Sequence, residues 1–316
     1  MKKDLRIIFL GTPDFAVENL KALVEDGQNI VAVITAPDKP AGRGRKIQET
    51  AVKKYAKEQN LFLMQPSNLK DESFLQELKS LEADLQIVVA FRMLPVKVWD
   101  MPTLGTFNLH ASLLPQYRGA APINWAIMNG EKETGVSTFF LQHKIDTGNI
   151  IFQEKVIISE NMDVGDLHDK LMHLGANLVV KTVHSIIEEK IEETVQKDFP
   201  EEDLKSAPKI FKEDCLINWK NPLQKIHNHI RGLSPYPTAW TKLDNKKLKI
   251  FKALRIEEEH DSQTGLIVSD KKTYLKIAVE SGFIQIEELQ LEGKKRITIK
   301  DFLRGFQNTK LPEFIG

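Results

Sequence analysis

The stretch Phe107-Asn108-Leu109-His110-Ala111-Ser112-Leu113-Leu114-Pro115 holds the residues best suited to chemistry. In an extended segment Asn108 and His110 stand two apart, so both side chains leave the same face. Asn offers a neutral hydrogen-bond donor, and His donates, accepts or carries a proton near neutral pH. Together they suit an oxyanion developing on a carbonyl under attack. Taken alone, Asn-x-His fits an ordinary strand end as well. Downstream, His143-Lys144-Ile145-Asp146-Thr147-Gly148 interrupts two apolar runs. Asp146 reads equally as an Asx-turn residue or as the partner that orients an imidazole or relays its proton. Between the two, Gln116-Tyr117-Arg118-Gly119-Ala120-Ala121-Pro122 is expected to expose an aromatic and an arginine on a turn before a helix carrying Ile123, Trp125 and Ile127.

Other segments carry weaker signals. Gly11-Thr12-Pro13-Asp14-Phe15 occupies the position of a dinucleotide-binding turn but lacks the later glycines, and Pro13 removes a backbone donor. A tight strand-to-helix turn is preferred, with Asp14 as N-cap. Pro37-Asp38-Lys39-Pro40-Ala41-Gly42-Arg43-Gly44-Arg45-Lys46 gathers Lys39, Arg43, Arg45 and Lys46 in a segment broken by prolines and glycines. It reads as a flexible loop, either solvated or folding against phosphates. His227 and His229 are two apart on an expected helix, which does not put them on one face, so no metal site is expected. The single cysteine, Cys215, excludes an intramolecular disulfide and reads as a packing residue.

These groups need elements to position them. Apolar runs at 6–10, 30–34, 61–63, 85–89, 107–109 and 135–140 predict strands, and 51–59 and 71–81 predict intervening helices. That alternation implies right-handed crossovers and an α/β, doubly wound, Rossmann-like, mainly parallel sheet. Its carboxyl edge is where such folds hold ligands, and where Asn108 and His110 would emerge. A long amphipathic helix is predicted at 164–189. A polar, proline-broken stretch follows. After a short helix at 223–231, short strands at 239–243, 248–254, 266–269, 274–279 and 283–289 predict a small antiparallel barrel.

The chain of 316 residues thus divides into a domain at 1–189, a linker at 190–208 and a domain at 209–316. Forty-four basic and 44 acidic residues cancel overall. From Lys209 onward, however, 20 Lys/Arg face 14 Asp/Glu, a net of +6 that permits contact with nucleic acid. No apolar run approaches the roughly 18 residues of a membrane span, and the opening run is too short for a secretory signal. A soluble, cytoplasmic monomer is expected.

Taken together, the opening Phe9-Leu10-Gly11-Thr12-Pro13-Asp14-Phe15-Ala16, the 37–46 loop, Asn-x-His-x-Ser-Leu-Leu-Pro with Arg118-Gly119-Ala120-Ala121-Pro122, and Asp146-Thr147-Gly148 resemble the folate-dependent formyltransferases. The basic loop and C-terminal barrel resemble the branch acting on initiator methionyl-tRNA. Two departures stand out. Ala90-Phe91-Arg92-Met93-Leu94-Pro95 is one residue shorter than in many members, and Lys144-Ile145 replaces a common Gly-Leu. The resemblance implies a 10-formyltetrahydrofolate donor beside Ser112, Leu113, Leu114 and Pro115, and a catalytic set of Asn108, His110 and Asp146, with Asp146 positioning His110. It further implies tRNA contacts from Lys39, Arg43, Arg45 and Lys46, and an OB-like C-terminal domain offering the tRNA a basic surface. Rival readings are a formyltransferase for a small amine, such as an amino sugar or glycinamide ribonucleotide, and a non-catalytic RNA-binding protein.

If the loop meets phosphates, Arg43→Ala weakens engagement of initiator methionyl-tRNA and lowers its salt slope by about one. Binding titrations over a salt series measure this, and an unchanged slope returns the loop to a solvated surface.

Overall fold

A computed structural model describes residues 4–41, 46–196, 203–305 and 311–315. The chain forms two compact units, one comprising Met1–Gly119, Thr134–Val156 and His168–Ser206, the other Ala120–Glu133, Ile157–Leu167 and Ala207–Gly316. The second unit therefore takes two excursions, at 120–133 and 157–167, from within the expected N-terminal domain. Met128 of the first excursion packs against the second unit's core, and the Ser159 and Met162 carbonyls of the second accept from Arg231, contacts that periodicity along the chain cannot report.

The first unit holds strands β1 (Ile7–Gly11), β2 (Ile30–Ile34), β3 (Lys39–Ala41), β4 (Lys46–Gln48), β5 (Leu63–Met64), β6 (Leu85–Val89), β7 (Thr106–His110), β8 (Arg118–Gly119), β9 (Glu133–Phe140) and β10 (Ile150–Ile157). Seven make one sheet in the order β10-β9-β7-β6-β1-β2-β5. Ladders β1–β2, β1–β6, β2–β5 and β6–β7 are parallel, whereas β7–β9 is antiparallel. All five residues of β1 and of β6 are buried, the pattern of strands covered on both faces. From β1 the chain builds outward through β2 to β5, then returns to lay down β6 and β7 on the other side. The β1/β6 boundary is thus the switch point where the carboxyl edge opens a crevice.

Helix α1 (Asp14–Glu25) starts one residue earlier than expected: Pro13 is the N-cap, and Asp14 lies in the first turn, where its charge favours the helix dipole. Helix α2 (Ala51–Glu58) is capped by Thr50, which accepts from the Lys53 amide, and α3 (Glu72–Ser80) by Asp71, which accepts from Ser73 and Phe74. A short α4 (Val96–Trp99) follows β6. Helix α5 (Pro122–Met128) belongs to the second unit, and α6 (Val164–Ile187) is the long helix the periodicity predicted. No helix among the described residues is long and apolar enough to cross a membrane.

In the second unit, β11 (Ser206–Ala207) precedes α7 (Leu223–Gly232) and strands β12 (Ala239–Leu243), β13 (Lys246–Ile256), β14 (Ile267–Ser269), β15 (Leu275–Val279), β16 (Gly282–Leu291) and β17 (Ile297–Thr298), then α8 (Ile299–Arg304). The antiparallel sheet runs β12-β13-β16-β15-β14, with β17 on β16. The five expected strands are all present. Among the described residues the ladder does not close on itself: β12 is bridged instead by Leu216, and Leu266 beside β14 by Phe314. The antiparallel sheet wraps a core that includes Ile226, Ile230, Ile250, Ile277, Ile286 and Phe302. Cys215 is buried in that core, as a packing residue should be.

Within it, burial and the neighbouring Arg231 and Arg255 charges depress the His227 imidazole to about 4, and burial lowers His229 as well. Arg231 is itself fixed by carbonyls of Ser159 and Met162 and by Asn228 Oδ1. The unfolded chain protonates His227 near its ordinary pKa of 6.5 and the folded chain only near 4. Stability is therefore complete above pH 6.5 and declines as pH falls through this window, by up to about 3 kcal/mol. Denaturant unfolding of the full chain at pH 7 and pH 4.5 measures the loss, and His227→Gln is expected to flatten it.

Candidate active site

The last residues of β7 include Asn108 and His110, the candidates for chemistry. Asn108 pairs with Val88 on one side and Phe139 on the other, and His110 pairs with Ser137, so both extend from one face of a strand held by two neighbours. His110 is 7% exposed, and its Nε2 lies 2.8 Å from the Tyr117 carbonyl. A carbonyl only accepts, so Nε2 carries the proton and Nδ1 of the neutral ring is an acceptor. Asn108 Oδ1 is buried without a hydrogen-bond partner. An orphaned buried acceptor costs about 1–3 kcal/mol, which a bound N–H group would recover.

Asp146 sits in the β9–β10 connection with φ +53°, the left-handed region. Its Oδ2 accepts the Gly119 N–H at 3.0 Å. His110 and Asp146 are thus each tied to the turn at residues 117–119, two residues apart, and not to each other. The hydrogen-bond partner of His110 in the structure is the Tyr117 carbonyl, and that of the Asp146 carboxylate is the Gly119 amide. Tyr117 departs from its expected exposure, being 4% exposed with φ +60°. Its amide donates to the Lys205 carbonyl at 2.5 Å, and Lys205 N donates to Gln116 Oε1 at 2.8 Å. Thr194 exchanges backbone hydrogen bonds with Ile150, both at 2.8 Å. Residues 194–196 and 203–205, part of the expected linker, are therefore fastened beside these turns instead of spanning freely; residues 197–202 lie outside the described residues.

The segment from Ser112 to Pro115 folds as a pinned turn. The buried Ser112 hydroxyl donates to the Gln116 carbonyl at 2.7 Å. Ser137 Oγ donates to the Ser112 carbonyl at 2.6 Å and accepts from Leu114 N and Gln153 Nε2. Leu114 packs with Phe139 and Ile150, which leaves Leu113 and Pro115 partly exposed. Ser137 and Gln153 escaped the sequence reading, although a serine inside the apolar run of β9 was the available signal. Gln196, 7% exposed, escaped it too: Nε2 donates to the carbonyls of Asp146 at 2.9 Å and Gly148 at 2.8 Å, and Oε1 accepts from Arg118. It lies in an aperiodic polar stretch that offers no signal.

The basic segment is more ordered at its root than a flexible loop. Strands β3 and β4 pair antiparallel, Lys39 opposite Gln48 and Ala41 opposite Lys46. Asp38 is held by Lys53 at 2.5 Å and Gln65 at 2.9 Å, and the Lys53 hydrogen bond above all keeps its carboxyl below the usual range. Lys39 is exposed and lines a cavity of about 590 Å³ with Thr12, Pro13, Pro37, Ala90 and Arg92, at the carboxyl ends of β1, β2 and β6. Arg43 and Arg45 lie outside the described residues, as does the side chain of Lys46. Among the described residues no group of three or more His, Cys, Asp or Glu is gathered as a metal site.

Two family models match the chain: formyl transferase over residues 5–183, and formyl transferase, C-terminal domain, over residues 209–307. The chain is 57% identical over 312 residues to a methionyl-tRNA formyltransferase of Bacteroides thetaiotaomicron, covering 97% of each. Among solved structures it is similar to an N-formyltransferase from Helicobacter canadensis in complex with folinic acid and dTDP-3-aminofucose, at 22% identity and TM-score 0.68, covering 93% of this chain and 100% of that one. HypX from Aquifex aeolicus in complex with tetrahydrofolic acid aligns at 17% identity and TM-score 0.66, over 99% of this chain and 51% of that one. At these identities the two structures show the fold alone.

The turn bearing Asp146 depends on close backbone packing. A Cβ at Gly148 would collide with the Phe140 carbonyl. Gly148→Ala is expected to cost about 2–3 kcal/mol, measured as a lowered urea midpoint.

Proposed function

Since the chain belongs to the formyl transferase family, we propose that it transfers a formyl group from 10-formyltetrahydrofolate to the free α-amino group of methionyl initiator tRNA. The observation that carries the chemistry is the gathering of Asn108, His110 and Asp146 by β7 and the turn at residues 117–119. The acceptor is supported by relatives such as the 57%-identical methionyl-tRNA formyltransferase, matched over nearly the full length of both chains.

The donor set fits a formyl compound. Asn108 combines an unsatisfied buried acceptor with an amide donor, so Oδ1 receives an N–H of the incoming amine while Nδ2 donates toward the formyl oxygen. The amine has a pKa of about 8 and needs no covalent enzyme intermediate to attack. His110 Nδ1, unprotonated in the neutral ring because Nε2–H serves Tyr117, takes the proton the amine sheds. Once charged, His110 supports the developing oxyanion. Asp146, held as an acceptor by Gly119, steadies that positive charge and passes the proton toward the departing folate nitrogen through water. Leu113 and Pro115 are the members of the 112–115 turn with surface left to meet the donor, since Ser112 and Leu114 are spent on the fold.

Lys39, with Arg43, Arg45 and Lys46, meets the acceptor end of the tRNA, and the cavity that Lys39 lines gives that end a place beside the sheet edge. The C-terminal domain offers its excess of Lys and Arg to the body of the tRNA. We place this activity in the cytoplasm, with the protein acting as a monomer. A sugar or other small amine as acceptor has only the distant structural likenesses in its favour.

His110→Ala and Asp146→Ala are each expected to lower turnover by about a hundredfold or more while tRNA binding stays near normal. Formyl-methionine production from 10-formyltetrahydrofolate and charged initiator tRNA is the assay. Near-normal turnover in either variant removes that residue from the catalytic set, and formylation of a small amine alone overturns the acceptor.

A further inference from the structure

Gln196 is nearly enclosed, and its amide is saturated. Nε2 spends its two protons on the carbonyls of Asp146 and Gly148, at 2.9 and 2.8 Å. Oε1 accepts from Arg118 Nε at 3.2 Å and Nη2 at 2.6 Å. Only one orientation works, because a flipped amide would set its oxygen against two carbonyls and its NH2 against a guanidinium. Asp146 sits in the left-handed region at φ +53°. Such a residue persists only where its surroundings over-determine it.

The bonds close a ring. From the Asp146 carbonyl it passes through Gln196 to Arg118, along the chain to Gly119, and back from the Gly119 N–H to Asp146 Oδ2 at 3.0 Å. Two ties therefore join the same two turns, one at the backbone of Asp146 and one at its carboxylate. Removing the Gln196 tie leaves the carboxylate on the Gly119 hydrogen bond alone, with the backbone at 146–148 no longer joined to Arg118. Gln196 itself is anchored two residues earlier in the chain, where Thr194 pairs with Ile150.

We propose that Gln196 is a positioning residue for the reaction, acting through the backbone at residues 146–148 to aim the Asp146 carboxylate. The proposal rests on the reading of Asp146 as a catalytic residue. It makes the segment after α6, a spacer by composition, part of the catalytic apparatus.

The test is steady-state kinetics of the full chain with 10-formyltetrahydrofolate and methionyl initiator tRNA, together with thermal unfolding of each variant. Gln196→Met, which keeps length but loses the hydrogen bonds, is expected to lower kcat by about 10- to 100-fold, the cost of misplacing a reacting group by about 1 Å. KM for both substrates should stay within about threefold, a split that general destabilisation would not give. Gln196→Glu retains an acceptor for Arg118 but opposes two carbonyls with a carboxylate, so its kcat should fall at least as far. Wild-type turnover in Gln196→Glu would show that Gln196 serves Arg118 alone and overturn the proposal. In an Asp146→Ala background, Gln196→Met should cause no further loss of kcat, whereas multiplicative losses would overturn it. If Gln196→Met does not fold, Gln196→Glu completes the same cycle. Near-normal turnover of Asp146→Ala by itself removes the premise. A crippled Asp146→Ala beside a Gln196→Met of wild-type kcat refutes the role of Gln196 alone.

Discussion

The site depends on one short piece of backbone, the turn at residues 117–119. Its Tyr117 carbonyl accepts from His110 Nε2, and its Gly119 amide donates to Asp146. One peptide acceptor and one peptide donor, two residues apart, thus decide which nitrogen of the imidazole is available and where the carboxylate points. The turn holds Tyr117 at positive φ, which costs about 1–3 kcal/mol for a non-glycine residue. Burial of the tyrosine and the hydrogen bond from its amide to Lys205 offset that cost.

Around this turn the first unit divides its labour. The parallel sheet fixes Asn108 and His110 on a central strand with paired neighbours on both sides, where side-chain direction has little freedom. Irregular segments then supply what a strand cannot, groups that arrive from the side. The 112–116 turn is locked by Ser137, whose hydroxyl donates once and accepts twice. The chain after α6 closes the other side through Thr194, Gln196 and Lys205.

Much of the fold was legible because burial imposes short periods. The mostly apolar runs of β1 and β6 announced a sheet covered on both faces, and the alternation of strand and helix implied its parallel order. Turn residues between short alternating runs foretold β12 to β16 to within two residues at each end. Asn108 and His110 were legible for the same reason, since spacing of two on a strand is itself a statement about direction. Less visible were the two excursions into the second unit. Each is decided by which faces meet, and a local pattern does not carry that.

For the site, the sequence by itself determined the inventory: an amide and an imidazole on one strand face, a carboxylate in a later turn, and a basic segment after β2. Tertiary structure alone decided how they connect. Tyr117 is buried where turn composition predicts exposure; Asp146 accepts from Gly119, a contact no spacing announces; residues 190–208 have a linker's composition, yet Gln196 and Lys205 are fastened to the site's turns. The reason is common to all three. These contacts are made by backbone carbonyls and amides, or by one glutamine in an aperiodic stretch, and every residue type carries the same peptide group. Its partner is set by chain path, which exists only once the sheet has formed.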